Sequence, residues 1–103
     1  MSRDVVIVEG LRTPFVRAGE DLREVPVDEL GRSCCRDLLD RCGISPAEID
    51  ELILGCCAQP PDRANPARVV ALRSGLPIET PAHTVARNCA SGMQAVSDAF
   101  DRI

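Results

Sequence analysis

The sequence predicts an α/β domain in which strands and helices alternate in the order βαβαβα. A continuous β-branched run, DVVIV at residues 4–8, opens the chain, and apolar residues recur every three or four positions over residues 27–42. The same alternation then repeats twice before the chain ends. Alternation of this kind favours a parallel sheet with right-handed crossovers. With 103 residues, the chain is predicted to form one small domain, residues 1–103, around one core.

The first strand and the first helix have distinct signals. An uninterrupted apolar run such as residues 4–8 is typical of a strand that is covered on both faces. Residues 15–25 are charged and without a clear period, which predicts a surface loop. A helix of about four turns follows, with Gly43 as its stop. Its apolar positions are Val27, Leu30, Cys34, Leu38 and Cys42.

The middle of the chain predicts a capped turn, a strand and a second helix. SPAE at 45–48 is a capping box, in which Ser45 caps a short helical turn and Glu48 reaches back to a free amide. ELILGCCA at 51–58 is apolar and of strand length. After a loop, Asn65 is placed to cap a helix that spans residues 66–74.

The last strand and helix bring the chain to its final residue. HTVARN at 83–88 predicts an extended segment, and an apolar stripe then predicts an amphipathic helix. This helix has no stop signal, and three parallel strands leave long unpaired edges. We therefore expect the chain to be the opening part of a larger fold. The stripe consists of Met93, Val96, Phe100 and Ile103.

Composition excludes several classes of function. The chain is 45% apolar and 27% charged, with a net charge of −4 and no run of basic residues. Nucleic-acid binding, which needs a clustered basic face, is therefore not expected. No apolar run approaches the roughly 18 residues of a membrane span, and no secretory signal precedes the first strand. The sequence predicts a cytoplasmic protein without a membrane span.

The six cysteines are predicted to be reduced thiols. Cys34–Cys35 and Cys56–Cys57 are adjacent pairs, which rarely form a disulfide with each other, and the sequence lacks a secretory signal. There is no C-x-x-C spacing, and His83 is the only histidine. A metal site is therefore not expected.

Cys89 has the position of a nucleophile. It follows the third predicted strand and directly precedes the last helix, in VARNCASGMQAV at 85–96. At the carboxyl edge of an α/β sheet, a helix presents free N–H groups and the positive end of its dipole, which favours a nucleophilic thiolate. The Cys89 N–H can also face an oxyanion, while residues 90–92 leave space for a bulky electrophile. The pattern indicates acyl transfer through a thioester, and a cysteine that only fills space is the alternative.

The residues around Cys89 resemble those of a known family. RNCASGMQAV at 87–96 is similar to the nucleophilic-cysteine segment of thiolases, the acyl-CoA C-acyltransferases. The resemblance extends in order along nearly the whole chain. It also includes VVIVEGLRTPF at 5–15, VDELGRSCCRDLLDRCGISPAEIDELILGCC at 27–57 and NPARVVALRSGLP at 65–77.

This resemblance implies a fold and a reaction. The fold is the N-terminal part of the layered αβαβα arrangement of thiolases, incomplete in this chain. Cys89 would carry an acyl group taken from acyl-CoA or from a 3-ketoacyl-CoA, so coenzyme A thioesters are substrates and no cofactor is expected. A homodimer or homotetramer is implied as well. The family's activating histidine, its second cysteine and the remaining oxyanion-hole groups fall beyond residue 103, so we expect this chain alone to be inactive in the full reaction.

Two other functions fit the sequence. One is a non-catalytic module that keeps the thiolase opening and pairs its exposed sheet with a partner. The other is a condensing enzyme of the ketoacyl-synthase type, although the local sequence CASG favours a thiolase. Residues that bind coenzyme A are not identified by the sequence.

The remaining candidate residues are predicted to be structural. At strand rise, His83 lies about 20 Å from Cys89, too far to serve as its base unless the chain bends. Arg12, with Thr13, and Arg68 are expected to make hydrogen bonds within the chain. Cys56 and Cys57 close a strand and could face the same edge as Cys89, but a core position is expected for both. Met93 is expected to be a packing residue.

Overall fold

The computed structural model describes residues 3–103 and confirms the α/β class. Three α-helices and two strands alternate along this part of the chain, with a short 3₁₀ helix at Pro46–Glu48. None of these helices is both long and apolar enough to cross a membrane. The helices are α1 (Val27–Cys42), α2 (Pro66–Arg73) and α3 (Ser91–Arg102), and the strands are β1 (Leu52–Gly55) and β2 (Ala82–Val85).

Both local signals around the end of α1 are confirmed. Gly43 follows the helix with a φ of 66°, in the left-handed region that glycine adopts without strain. The Ile44 N–H then donates to the Leu39 carbonyl at 3.2 Å, which satisfies an end carbonyl of the helix. In the capping box, the Ser45 N–H donates to Glu48 Oε2 at 3.0 Å. The chain therefore stops one helix and begins the next turn within three residues.

The two strands pair in parallel and carry the core. Leu52 lies opposite Ala82 and Gly55 opposite Val85, so the carboxyl ends of both strands meet at one edge. Helix α2 packs on this pair of strands, and α1 packs on α2. The buried cluster comprises Leu39, Ala71 and Leu76, with Ile44, Ile49, Leu52 and Ala82 packed against it.

The start of α2 is capped differently from the prediction. Asn65 makes no capping hydrogen bond. Instead, the Ala67 N–H donates to Thr84 Oγ1 at 3.1 Å, and that hydroxyl donates to Asn65 Oδ1 at 2.7 Å. The Asn65 amide also donates to the Ala82 carbonyl at 3.1 Å. Asn65 therefore ties the loop to β2, while a threonine from β2 caps the helix.

The predicted strand at residues 4–8 is wrong for this structure. The segment forms no ladder, and Val6, Ile7 and Val8 are 72%, 85% and 73% exposed. A strand needs a hydrogen-bonding partner as well as β-branched side chains, and this segment pairs with neither strand. The β-branched run is typical of a buried strand, but within residues 3–103 its side chains remain exposed.

The apolar stripe of α3 is likewise exposed, although the helix forms as predicted. Met93, which was expected to be a packing residue, is 73% exposed, and Phe100 is 60% exposed. The helix instead packs on β1 through its small residues, with Ser91 and Ala95 buried. Two apolar surfaces, the stripe and residues 6–8, therefore remain uncovered within the described residues.

A network of ion pairs joins α1 to α2. Asp28 is only 2% exposed, and its carboxylate meets Arg63 Nε at 2.8 Å and an Arg73 guanidinium nitrogen at 2.5 Å. Arg73 also reaches Glu29 at 2.7 Å, and Arg32 forms a second pair with that carboxylate. A buried carboxylate needs such partners, because an unpaired buried charge is strongly destabilising.

Replacement of Gly31 by alanine is expected to destabilise the contact between α1 and α2. A Cβ there would lie 2.8 Å from Cγ2 of Val70, which is fully buried and cannot move freely. Overpacking costs about 1–3 kcal/mol, more than the roughly 1 kcal/mol that alanine gains over glycine in a helix. Urea unfolding should show Gly31→Ala to be the less stable protein. In a Val70→Ala background, where the clash is absent, the same change should be neutral or stabilising. An equal loss in both backgrounds would contradict the proposed contact.

Acid should weaken the α1–α2 network through Glu29. The hydrogen bond from Arg32 lowers the pKa of Glu29 below its ordinary value of 4.5, and the charge of Arg73 acts in the same direction. A lowered folded-state pKa gives stability that is present above pH 4.5 and lost as the pH falls through the folded-state value. Unfolding free energies measured at pH 7 and pH 3 should therefore differ more for the wild type than for Glu29→Gln. Equal acid sensitivity would exclude this contribution.

Candidate functional site

Cys89 lies in a short turn at the carboxyl edge of the sheet. We call residues 86–90 the Cys89 turn, because they connect the end of β2 directly to the start of α3. The Cys89 side chain is exposed. The structure thus places this cysteine after a strand and before a helix, as the sequence predicts, although β2 ends at Val85 rather than at residue 88.

The backbone of the Cys89 turn reverses sharply at Asn88. Asn88 has a φ of 48° and is the one non-glycine residue with positive φ in the described chain. Asparagine tolerates this left-handed conformation better than most residues. The Ala90 N–H donates to the Arg87 carbonyl at 2.9 Å, and the Ser91 N–H donates to the Asn88 carbonyl at 3.2 Å. This turn was not predicted from the sequence, although an asparagine between a strand and a helix is a signal for such a turn.

Ser91 faces inward rather than toward open space. It is only 4% exposed, which corrects the expectation that residues 90–92 all leave room for an electrophile. Its Oγ accepts from the Arg87 N–H at 2.8 Å and donates to the Asn88 carbonyl at 2.7 Å. Ala90 and Gly92, on either side, are exposed. The open space beside Cys89 is therefore bordered by these two residues.

Gly55 allows α3 to begin directly behind the sheet. A Cβ at Gly55 would lie 2.4 Å from the carbonyl carbon and oxygen of Ser91 and 2.5 Å from the Gly92 nitrogen. Only a residue without a side chain permits this approach of two backbones. Gly55 therefore determines how close the start of α3, and with it the Cys89 turn, lies to β1.

The electrostatic surroundings of Cys89 are those of a helix N-terminus. The first turn of α3 contains no acidic residue, so the positive end of the helix dipole is not offset there. The Arg87 guanidinium donates to Gln94 Oε1 at 2.8 Å, and Gln94 Nε2 donates to Asp98 at 2.7 Å. This chain of hydrogen bonds holds a positive charge beside the turn. Both features make the surroundings of the turn electropositive.

The other candidate residues do not join Cys89. His83 lies on β2, where its Nδ1 is 3.0 Å from Glu51 Oε1, in keeping with a structural role. Arg68 donates to the carbonyls of Thr80 and Ile78 at 3.0 and 2.8 Å, as expected for a residue paired within the chain. Arg12 donates to the Thr13 carbonyl at 3.2 Å, also as expected.

The remaining cysteines differ in exposure. Cys56 is buried, as predicted, whereas Cys57 is exposed, so the prediction of a core position for Cys57 is wrong. Cys57 comes after β1 has ended, where the chain bends outward. Within α1, burial raises the pKa of the Cys35 thiol. Cys57 and Cys89 are therefore the two exposed thiols of the described chain.

Comparisons with known proteins agree with this geometry. The family model described as "Thiolase, N-terminal domain" matches residues 5–103. The chain is 36% identical over 99 residues to a 3-ketoacyl-CoA thiolase of Photorhabdus laumondii and 40% identical over 99 residues to one of Yersinia pestis. Each match covers 96% of this chain and 23% of the relative, so the chain spans about a quarter of the length of these relatives.

Solved structures show the same similarity. An acetyl-CoA acetyltransferase of Bacillus anthracis matches with a TM-score of 0.76 and 41% identity, over 80% of this chain and 21% of that one. An acetyl-CoA acetyltransferase from Syntrophomonas wolfei matches with a TM-score of 0.84 and 32% identity, over 89% of this chain and 23% of that one. The arrangement of helices and parallel strands is therefore shared with these enzymes.

Replacement of Gly55 by alanine should disrupt the start of α3. The clash is with backbone atoms of Ser91 and Gly92, which cannot rotate away. The expected loss of unfolding free energy lies at or above the upper end of the range of about 1–3 kcal/mol for overpacked sites. Gly92→Ala is the matched control, since a Cβ there meets nothing within 4 Å. It should be neutral or stabilise α3 by roughly 0.5–1 kcal/mol. Similar thermal stability of the two variants would refute the close approach.

Proposed function

Because the chain belongs to the thiolase family, we propose that it carries the nucleophile of a thiolase-type acyltransferase, with Cys89 as the residue that accepts the acyl group. The observation that supports this most strongly is the position of Cys89, exposed in a fixed turn at the N-terminus of α3. A thiolate at such a position is a good nucleophile toward a carbonyl carbon. Coenzyme A thioesters are the proposed substrates, and no cofactor is required.

The proposed reaction begins with attack of the Cys89 thiolate on a carbonyl carbon. With acyl-CoA, the C–S bond to coenzyme A breaks, the coenzyme A thiolate leaves, and an acyl-Cys89 thioester remains. With a 3-ketoacyl-CoA, attack at the ketone breaks the bond between carbons 2 and 3 and releases the acetyl-CoA carbanion, which takes up a proton. The same acyl-enzyme then passes its acyl group to coenzyme A or, in the synthetic direction, to the carbanion of acetyl-CoA.

The Cys89 N–H is a possible hydrogen-bond donor to the oxyanion that forms when the thiolate attacks the carbonyl carbon. Attack converts the carbonyl oxygen into an oxyanion, which hydrogen-bond donors stabilise. Within residues 3–103, no backbone hydrogen bond uses the Cys89 N–H. This free donor next to the sulfur supports acyl transfer rather than a purely structural role for the cysteine.

Proton transfer is the part of the reaction that this sequence does not supply. His83 is its only histidine, and in the structure it pairs with Glu51. We therefore propose that this chain alone takes up an acyl group slowly, without α-proton abstraction or Claisen condensation. The resemblance to thiolases implies that the histidine and the second cysteine belong to further segments of a longer protein.

The uncovered apolar surfaces support a function within a larger assembly. The α3 stripe and residues 6–8 are mostly exposed here, while the relatives are about four times as long. We propose that further layers of a thiolase fold cover these surfaces and that the protein assembles as a homodimer or homotetramer. A cytoplasmic location belongs to the same proposal, since six free cysteines suit a reducing compartment.

Selective acylation and alkylation of Cys89 test the proposed function. We expect iodoacetamide at neutral pH, followed by peptide mass mapping, to modify Cys89 about tenfold faster than Cys57. Both thiols are exposed, so Cys57 controls for access, and only Cys89 precedes a helix. Incubation with acetyl-CoA should add one acetyl group at Cys89, and Cys89→Ala should abolish that addition.

Two other results would count against the proposal. Equal modification of Cys57 and Cys89 would show that helix position does not activate Cys89. Absence of acetylation in the wild-type chain would remove the support for an enzyme and leave the interaction module. The mass of the native protein that carries this N-terminus is a second check, and a chain about four times longer is expected for a working thiolase.

A further inference from the structure

The buried hydroxyl of Ser91 forms hydrogen bonds with the backbone of the Cys89 turn. Ser91 Oγ accepts a hydrogen bond from the Arg87 N–H, two residues before Cys89, and donates one to the carbonyl of Asn88, directly before it. Both hydrogen bonds are short, at 2.8 and 2.7 Å, and Ser91 is only 4% exposed. One side chain thus binds the backbone at two points of the turn that presents the cysteine.

The Asn88 carbonyl accepts from the Ser91 hydroxyl at 2.7 Å and from the Ser91 N–H at 3.2 Å, and these two bonds determine the direction of the Cys89 N–H. The Asn88 carbonyl and the Cys89 N–H belong to one planar trans peptide group, so they point in opposite directions. Because the carbonyl points inward to Ser91, the N–H points away from it, toward the exposed side of the turn. Asn88 holds a φ of 48°, which few residues adopt unless neighbouring contacts hold them there.

We infer that Ser91 is a positioning residue for acyl transfer, which holds the Asn88–Cys89 peptide so that the Cys89 N–H faces the developing oxyanion. The inference rests on the proposed acylation of Cys89 and adds a specific role for a residue that does not touch the substrate. The Ser91 hydroxyl acts through the backbone of the turn alone, since both hydrogen bonds that it makes are to backbone atoms.

Two reactions at the same sulfur separate this role from a merely structural one. In alkylation by iodoacetamide, the sulfur displaces iodide and no oxyanion forms, so only the thiolate matters. In acylation by acetyl-CoA, a carbonyl oxygen becomes an oxyanion that needs the Cys89 N–H. If Ser91 orients that N–H, its loss must slow acylation much more than alkylation.

The experiment compares both rates at Cys89 in the wild type and in Ser91 variants of this chain. For Ser91→Ala we expect acylation about tenfold slower, a part of the roughly hundredfold loss that follows removal of an oxyanion donor. Alkylation should change by less than about twofold, because Cys89 remains at the helix N-terminus. Ser91→Thr, which keeps the hydroxyl, should restore the ratio of the two rates toward the wild-type value.

Two controls make the result specific. Ser74→Ala removes a different fully buried hydroxyl, outside the turn, and should leave both rates at Cys89 unchanged. The buried Cys56 reports on folding, because it becomes accessible to iodoacetamide only if the domain opens. A loss of acylation without labelling of Cys56 therefore supports the positioning role.

Opposite outcomes distinguish the inference from the proposed function. If Ser91→Ala slows acylation and alkylation equally, or neither, Ser91 has no role in orienting the peptide and the inference is wrong, while acyl transfer at Cys89 stands. If the wild-type chain takes no acetyl group, both the proposed function and the inference are wrong.

Discussion

The contact between two backbones, at Gly55 in β1 and at Ser91–Gly92 in α3, determines where Cys89 lies. Because Gly55 has no side chain, α3 begins directly behind the carboxyl end of β1. β2 ends level with β1, since Val85 lies opposite Gly55. The chain must therefore leave β2 and enter α3 within residues 86–90. Such a short connection forces a sharp reversal, and the residue next to the reversal, Cys89, is left on the outside.

The contact between α1 and α2 is stabilised by side-chain packing and ion pairs. There α1 packs against α2 at Gly31 and Val70, and the buried Asp28 is paired with Arg63 and Arg73. These ion pairs tie the loop before α2 to both helices, so they fix the scaffold under the sheet. A buried pair of this kind contributes orientation more than net stability, because desolvation of the charges offsets much of their attraction. The charged network supports the scaffold, whereas uncharged hydrogen bonds from the backbone and from the Ser91 hydroxyl hold the Cys89 turn.

Local signals allowed much of the fold to be predicted from the sequence. The periodicity of α1, the stop at Gly43 and the Ser45–Glu48 capping box all involve residues within a few positions of one another. The position of Cys89 between a strand and a helix was predicted on the same basis. These features depend on short-range geometry, so an isolated sequence contains nearly all of the information about them.

Features that depend on distant partners were not predicted. Residues 4–8 have the composition of a buried strand, but composition does not specify a partner, and the described chain provides none. The cap of α2 comes from Thr84, seventeen residues after Ala67, so no local pattern could reveal it. Ser91 is an exception, because its partners Arg87 and Asn88 are only four and three residues away. Its hydrogen bonds were not predicted because a small residue after a cysteine was interpreted as open space.

On the proposed function, the two halves of thiolase chemistry make different demands on the protein. Formation of the acyl-enzyme needs a thiolate and an oxyanion donor, and here both depend on backbone groups, namely the N-terminus of α3 and the Cys89 N–H. Backbone dipoles do not titrate, but the Cys89 thiol must lose its proton before it attacks. Proton transfer at the substrate needs titratable groups instead, and the one imidazole of this sequence, His83, is engaged by Glu51. On this proposal, the domain positions the nucleophile, while the groups that control carbon–carbon bond formation belong to further segments of a longer protein.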